Sequence, residues 1–172
     1  YGQAYQRALA VLYAVAYALK TSPRKGKAIP GFFDYVVPPL EGFWWQEGVD
    51  GADYGRKADF HWISVLRLPA FVTEADFAWA VENAARRKKL DCSAAELLAV
   101  EEGLCVQMLH TGPFETELET VHVMDAFLTE NGYVNDLTDR RLHHEIYLSD
   151  ARKTTPDRWR TILRHPVRKI SP

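Results

Sequence analysis

What most restricts the fold of this chain is the order in which its helix and strand signals arrive. Residues 4–20, AYQRALAVLYAVAYALK, place Tyr5, Ala8, Leu9, Leu12, Val15, Ala16 and Leu19 on one helical face. Strand-like runs follow, FFDYVVPPLEGFWW at 32–45 and FHWISVLRL at 60–68, the latter rich in aromatic and β-branched residues. The same order then returns. A strand at 104–110 (LCVQMLH) leads through a TGPF turn to a helix at 117–131, and strands follow at 141–150 (RLHHEIYLSD) and 160–170 (RTILRHPVRKI). The second half thus reads strand-helix-strand-strand, and the first half reads the same without its leading strand. Such a repeat predicts an α+β fold, with each half laying one helix against an antiparallel sheet and leaving an open sheet face. The expected layout is one domain over residues 1–172, with halves at about 1–69 and 103–172 and a helical connector at 70–102. The chain opens at Tyr1 directly before a helix, so residues are expected upstream.

Local signals refine the elements. Pro38-Pro39 removes two ladder donors and puts that run at an edge or a bend. Thr73 with Asp76 forms a capping box for a helix from Glu74, and Ser93 with Glu96 predicts a further helix that Gly103 ends. Thr116 with Glu119 predicts the cap of the helix that Gly132 closes, with Leu118, Val121, Met124 and Leu128 as its buried stripe. Thr155-Pro156 suggests one helical turn before the last strand.

Composition limits the function classes. The chain has 172 residues, 47% hydrophobic and 26% charged, enough apolar material for a sizeable core. A formal charge of -2 gives no basic stripe for nucleic acid, and the run RRKK at 86–89 reads as an exposed helix end. No apolar run reaches the ~18 residues of a membrane span. Cys92 and Cys105 match neither a zinc site nor a disulfide framework, which fits a reduced, cytoplasmic compartment. No metal or cofactor is expected, and the partner expected is a small molecule, bound by a monomer or weak homodimer.

The candidate chemistry centres on residues 141–150. Alternation puts His143, Glu145 and Tyr147 on one strand side, and Leu142, His144, Ile146 and Leu148 on the other. Glu145 is a carboxylate in the middle of an apolar strand. It can be a solvated strand residue, a metal ligand, a receptor for a cation, or a general acid or base. His143 shares its side, but a metal site lacks clear third and fourth ligands. His144 reads as structural. Tyr35, Glu41, Phe43, Trp44 and Trp45 hold the corresponding place in the first half. Adjacent Trp44 and Trp45 cannot both face one side of a strand. Glu41, after the two prolines, reads as a second carboxylate at a rim. Trp62 on the following strand and Tyr147 are aromatic candidates for a ligand wall. His110 ends the strand before TGPF, Phe114 closes that turn, and Glu101 and Glu102 read as solvated.

The stretch MLHTGPF, then a helix, then HHEIYLSDARKTTPDRWRTILRHPV resembles the C-terminal half of the GyrI-like small-molecule-binding family. AYQRALAVLYAVAYALK…DYVVPPLEGFWW is similar to the first half of its stand-alone branch. The resemblance leaves out the loop 46–58 and the connector 70–100. It implies two pseudo-symmetric halves, helices on one sheet face, and on the other face an aromatic-lined ligand cleft between the halves with one buried glutamate, here Glu145. It also implies a strand before the first helix. Some stand-alone members hydrolyse the cyclopropane ring of DNA-alkylating natural products. On that basis Glu145 would activate water with Tyr35 or Glu41 assisting, and Trp44, Trp45, Trp62, Phe43, Tyr147, His110 and Phe114 would meet a flat ligand. Two other readings stay open: a drug-sequestering or sensor module in which Glu145 supplies only charge, and a gyrase-inhibitor-like interaction protein.

Overall fold

The computed structural model describes residues 2–49, 53 and 55–170. It is a mixed α+β structure with helices α1 (Gln3–Lys20), α2 (Glu74–Lys88) and α3 (Glu117–Glu130). Its strands are β1 (Leu40–Trp45), β2 (His61–Val65), β3 (Cys105–Thr111), β4 (Tyr133–Asn135), β5 (His143–Tyr147) and β6 (Arg160–Lys169). The strands form one sheet in the order β2-β1-β5-β6-β3, with β4 also on β6. β1 with β5, β5 with β6, β3 with β6 and β4 with β6 all pair antiparallel. No helix among the described residues is long and apolar enough to cross a membrane. The chain forms two compact units, Tyr1–Pro39 with Ser64–Ala99, and Leu40–Ile63 with Val100–Pro172.

The first unit is a helix pair. Val15, Ala18 and Leu19 of α1 pack with Ala80 and Ala84 of α2, and Ile29 and Cys92 complete the buried set. Alanine on both helices lets the two backbones approach closely. The capping box at Thr73 forms as the sequence predicts: Thr73 Oγ1 accepts from the Asp76 amide at 3.2 Å, and Asp76 Oδ2 accepts from the Thr73 amide at 3.2 Å. Residues 32–39 are not a strand. Phe32, Phe33 and Tyr35 turn instead onto Phe71, at centroid distances of 5.5, 5.2 and 6.0 Å.

No helix forms over 93–103. The Ser93 amide donates to Asp91 Oδ1 at 3.0 Å and the Ala95 amide to Cys92 O at 3.0 Å, so a side-chain-capped turn takes the groups a first helical turn would need. A helix of so few residues has little stability of its own, and Leu97, Leu98 and Val100 remain exposed.

In the second unit the register decides everything that follows. Gly42 pairs with Glu145 and Phe43 with His144 across β1 and β5. Across β5 and β6, Glu145 pairs with Leu163 and His144 with Arg164. Residues directly opposite share a face. Leu163 is fully buried and packs with Val121 and Met124 of α3, so α3 covers the face that carries Glu145, and the glutamate does not lie on the helix-free face where the cleft is expected. In α3 the buried residues are Glu117, Val121, Met124 and Leu128, while Leu118 is exposed. The Thr116 hydroxyl donates to Pro113 O at 2.9 Å and makes no helix cap.

The opposite face is held by a buried ionic chain. His144, 1% exposed, lies between two carboxylates, with Nε2 2.8 Å from Glu41 Oε2 and Nδ1 2.8 Å from Glu102 Oε1. Glu102 Oε2 accepts from Arg164 at 2.6 Å, and Arg164 also donates to Gln107 Oε1 at 2.8 and 2.9 Å. The Phe43 ring stacks on His144 at 4.2 Å. Glu102 is therefore not the solvated residue its sequence context predicts. Burial pushes its carboxyl pKa up, but the hydrogen bonds and charges of His144 and Arg164 outweigh that and hold it below the ordinary range. Arg141 donates to the Glu102 and Leu104 carbonyls at 2.9 and 3.0 Å, which fixes the segment entering β3.

Replacing His144 by Leu would remove the ring that Glu41 and Glu102 both bind in this buried chain. Losing one partner of a buried ionic group costs about 3–5 kcal/mol, so His144→Leu should lower the unfolding free energy by that amount in urea melts. A change under about 1 kcal/mol would mean that His144 does not hold this face together.

Candidate functional site

On the α3 face, three polar side chains of the second unit form a hydrogen-bonded row. His143 Nδ1 is 2.7 Å from His165 Nε2, and His143 Nε2 is 3.0 Å from Glu145 Oε1. All three residues are buried, at 3%, 2% and 8% exposure. The row is anchored at its far end. His165 Nδ1 lies 3.3 Å from Asn135 Oδ1, and the Asn135 amide nitrogen donates to Asp125 of α3.

This arrangement fixes where protons sit. Asn135 gives its amide N–H to a carboxylate, so its oxygen faces His165 and accepts from Nδ1–H. Burial, and then the charge on His143, push the His165 pKa down from an ordinary 6.5 to about 3, so that ring is neutral. Its Nε2 must then accept from His143 Nδ1–H. One proton remains for the 3.0 Å contact between His143 Nε2 and Glu145 Oε1. Among the described residues Glu145 Oε2 has no hydrogen-bond partner, and the side chain keeps 11% exposure.

Aromatic side chains gather beside this carboxylate. Trp44 Nε1 donates to the Tyr147 hydroxyl at 3.0 Å. The Phe114 ring meets Tyr147 edge-on at 6.1 Å and lies 4.7 Å from Trp159. Gly42, the cross-strand partner of Glu145, leaves room for this arc: a Cβ there would come within 2.9 Å of Trp44 Nε1 and 3.0 Å of the Tyr147 oxygen. Trp44 and Tyr147 thus meet directly over the strand neighbour of Glu145.

The remaining predicted residues divide between the two sheet faces and the two units. Glu41 is no rim carboxylate. It is 5% exposed and bound to His144 on the opposite face, because β1 presents Gly42, and not Glu41, beside Glu145. Phe43 and Trp45 alternate to that opposite face as well, with Trp45 stacked on His61 at 5.5 Å. Trp62 is half-buried on β2. Tyr35 belongs to the first unit, where its hydroxyl is buried without a hydrogen-bond partner and burial raises its pKa. The His110 ring is occupied by the turn it precedes, with Nδ1 2.8 Å from Thr120 Oγ1 and Nε2 3.1 Å from Pro113 O. His165, Asn135, Gly42 and Trp159 escape a sequence reading. His165 alone carried a signal, as a histidine in an apolar strand. No cluster of three or more His, Cys, Asp and Glu side chains suited to a metal occurs among the described residues.

Residues 14–168 match the GyrI-like small molecule binding domain. The chain belongs to this family. The sequence resemblance and the fold agree, and a GyrI-like domain binds small molecules. Solved structures support the assignment over nearly the whole chain. A hydrolase from Listeria innocua is 45% identical, with a TM-score of 0.86 over 95% of this chain and 79% of its own. An uncharacterized conserved protein from the same organism is 47% identical, with a TM-score of 0.90 over 97% of this chain and 81% of its own. A second Listeria innocua structure named as a hydrolase is 47% identical at a TM-score of 0.86, over 95% of this chain and 80% of its own. Among curated proteins none matches the chain.

The depressed pKa of His165 makes this GyrI-like domain acid-sensitive. Its folded value, about 3, lies below the ordinary 6.5, so the unfolded chain binds the extra proton between the two. The contribution is complete above pH ~6.5 and is lost as pH falls from there, by about 1.4 kcal/mol per pH unit. Glu102, also depressed, acts in the same direction at lower pH, as pH falls through its folded value. Urea melts between about pH 7 and pH 4 should show this slope, and His165→Gln should flatten it. Equal slopes in the two proteins would place the acid sensitivity elsewhere.

Proposed function

We propose that the domain binds flat aromatic small molecules against Trp44, Tyr147 and Phe114, and that Glu145 catalyses hydrolysis of a strained cyclopropane ring in DNA-alkylating members of that class. One observation carries this reading. Glu145 has Oε1 fixed by His143 and Oε2 without a partner among the described residues, beside an aromatic arc. A carboxylate so placed takes a proton at Oε2 while His143 keeps its orientation. The hydrolase names of two structures 45% and 47% identical to the chain support the same reaction type.

In this mechanism a water molecule lies at Oε2. Its oxygen bonds to a cyclopropane carbon as a proton passes to Glu145. The ring C–C bond breaks, and its electron pair moves into the conjugated carbonyl system of the ligand, whose oxygen takes up a proton from solvent. Glu145 then returns its proton to solvent. The sum is the addition of one water. Stacking on the aromatic arc holds the ligand, at a cost of about 0.5–1.5 kcal/mol for each aromatic pair lost. Glu41 has no part in this step, since it faces the other side of the sheet, and none is assigned to Tyr35.

The competing reading is a sink that binds without turnover, Glu145 serving only to attract a cationic ligand. Incubation with a cyclopropane-bearing alkylator, followed by mass spectrometry, separates the two. Catalytic excess of the water adduct is expected, and Glu145→Gln should slow turnover by about 10²–10⁴ while leaving neutral-ligand binding intact. Protection that stops at one equivalent would support the sink. Equal turnover in Glu145→Gln would remove Glu145 from the chemistry.

A further inference from the structure

The first unit holds a cleft that the Glu145 chemistry does not use. It opens between α1 and α2 and has a volume of about 560 Å³, well inside the range of small-molecule sites. Its floor is alanine, from Ala14 and Ala18 of α1 and Ala84 of α2. Tyr13 and Tyr17 stand on one wall, their ring centroids 6.4 Å apart.

The rim is basic. Lys25, Arg87 and Lys88 all border the cleft, and none has an ion-pair partner among the described residues. Arg87 and Lys88 lie in the last turn of α2, where the helix dipole favours cations. Lys25 has no such reason to be there. It comes from the turn after α1, is half-buried, and has its pKa lowered by burial and by the charges of Arg87 and Lys88. The fold therefore holds like charges together over an apolar floor. A second observation is independent of charge. Asn83 is 5% exposed overall and borders the cleft, where its amide can meet a polar atom of a ligand.

We propose that this cleft is a second binding site, for an amphiphilic organic anion. Its aromatic or aliphatic body lies on the alanine floor against Tyr13 and Tyr17. Its carboxylate, sulfonate or phosphate head meets Lys25, Arg87 and Lys88, and Asn83 bonds a polar atom of the body. The site is independent of the proposed hydrolysis.

Anilinonaphthalene sulfonate is a suitable probe, being an aromatic anion whose fluorescence rises in apolar surroundings. Titrated into the full chain it should bind saturably, and the double variant Lys25→Gln, Arg87→Gln should weaken binding about tenfold or more, the scale of a lost charge-assisted hydrogen bond. The uncharged parent, anilinonaphthalene, should bind both proteins alike. Lys88→Glu, a single change at an exposed position, should weaken the anion as well and guards against a folding defect in the double variant. Trp44→Ala and Glu145→Gln should leave the anion's affinity unchanged. Unaltered affinity in the charge variants would overturn the proposal, and so would loss of the probe in Trp44→Ala, which would locate it in the other unit.

Discussion

β5 buries three polar residues in succession, His143, His144 and Glu145, and the rest of the second unit is arranged around satisfying them. A strand turns successive side chains to opposite faces, so no single partner can serve all three. His144 takes its partners on one face, Glu41 from β1 and Glu102 from the segment before β3. His143 and Glu145 find theirs on the other, ending at Asn135 of β4 and Asp125 of α3. Nearly every element of the unit supplies a group to one chain or the other. A one-residue slip of β5 against β1 would exchange the two faces and strand every one of these groups.

The two faces do different chemical work because their proton accounts differ. On one, His144 has a carboxylate at each nitrogen, and Arg164 secures the outer one. On the other, a neutral His165 closes the chain at one end and a single proton is shared at the Glu145 end, where Oε2 is unpartnered among the described residues. A carboxyl group held by a histidine beside aromatic side chains suits both ligand recognition and acid–base catalysis.

Much of this was legible in the sequence. The helices α1, α2 and α3 follow from apolar spacing and flanking residues, and the alternation in HHEIYLSD correctly separates Glu145 and Tyr147 from His144. What was not legible depended on register or on long-range pairing. The face of Glu41 depends on which β1 residue lies opposite Glu145, and an uncertain entry after Pro38-Pro39 leaves that undetermined. Glu102 looks solvated until His144 and Arg164, 42 and 62 residues away, come to it. The helix expected after Ser93 fails because an adjacent Asp91 offers the same amides a turn. His165 and Asn135 join the site only through the pairing of β4 and β5 with β6.

The central claim is that a neutral His165 directs a shared proton to Glu145. Nitrogen NMR of the labelled imidazoles reports tautomer and charge directly. His165 should be neutral and protonated at Nδ1 alone from about pH 7 down to about pH 4, well above its depressed pKa of about 3. Finding His165 protonated at both nitrogens near pH 6, or carrying its proton at Nε2, would reverse the direction of the chain and contradict the account.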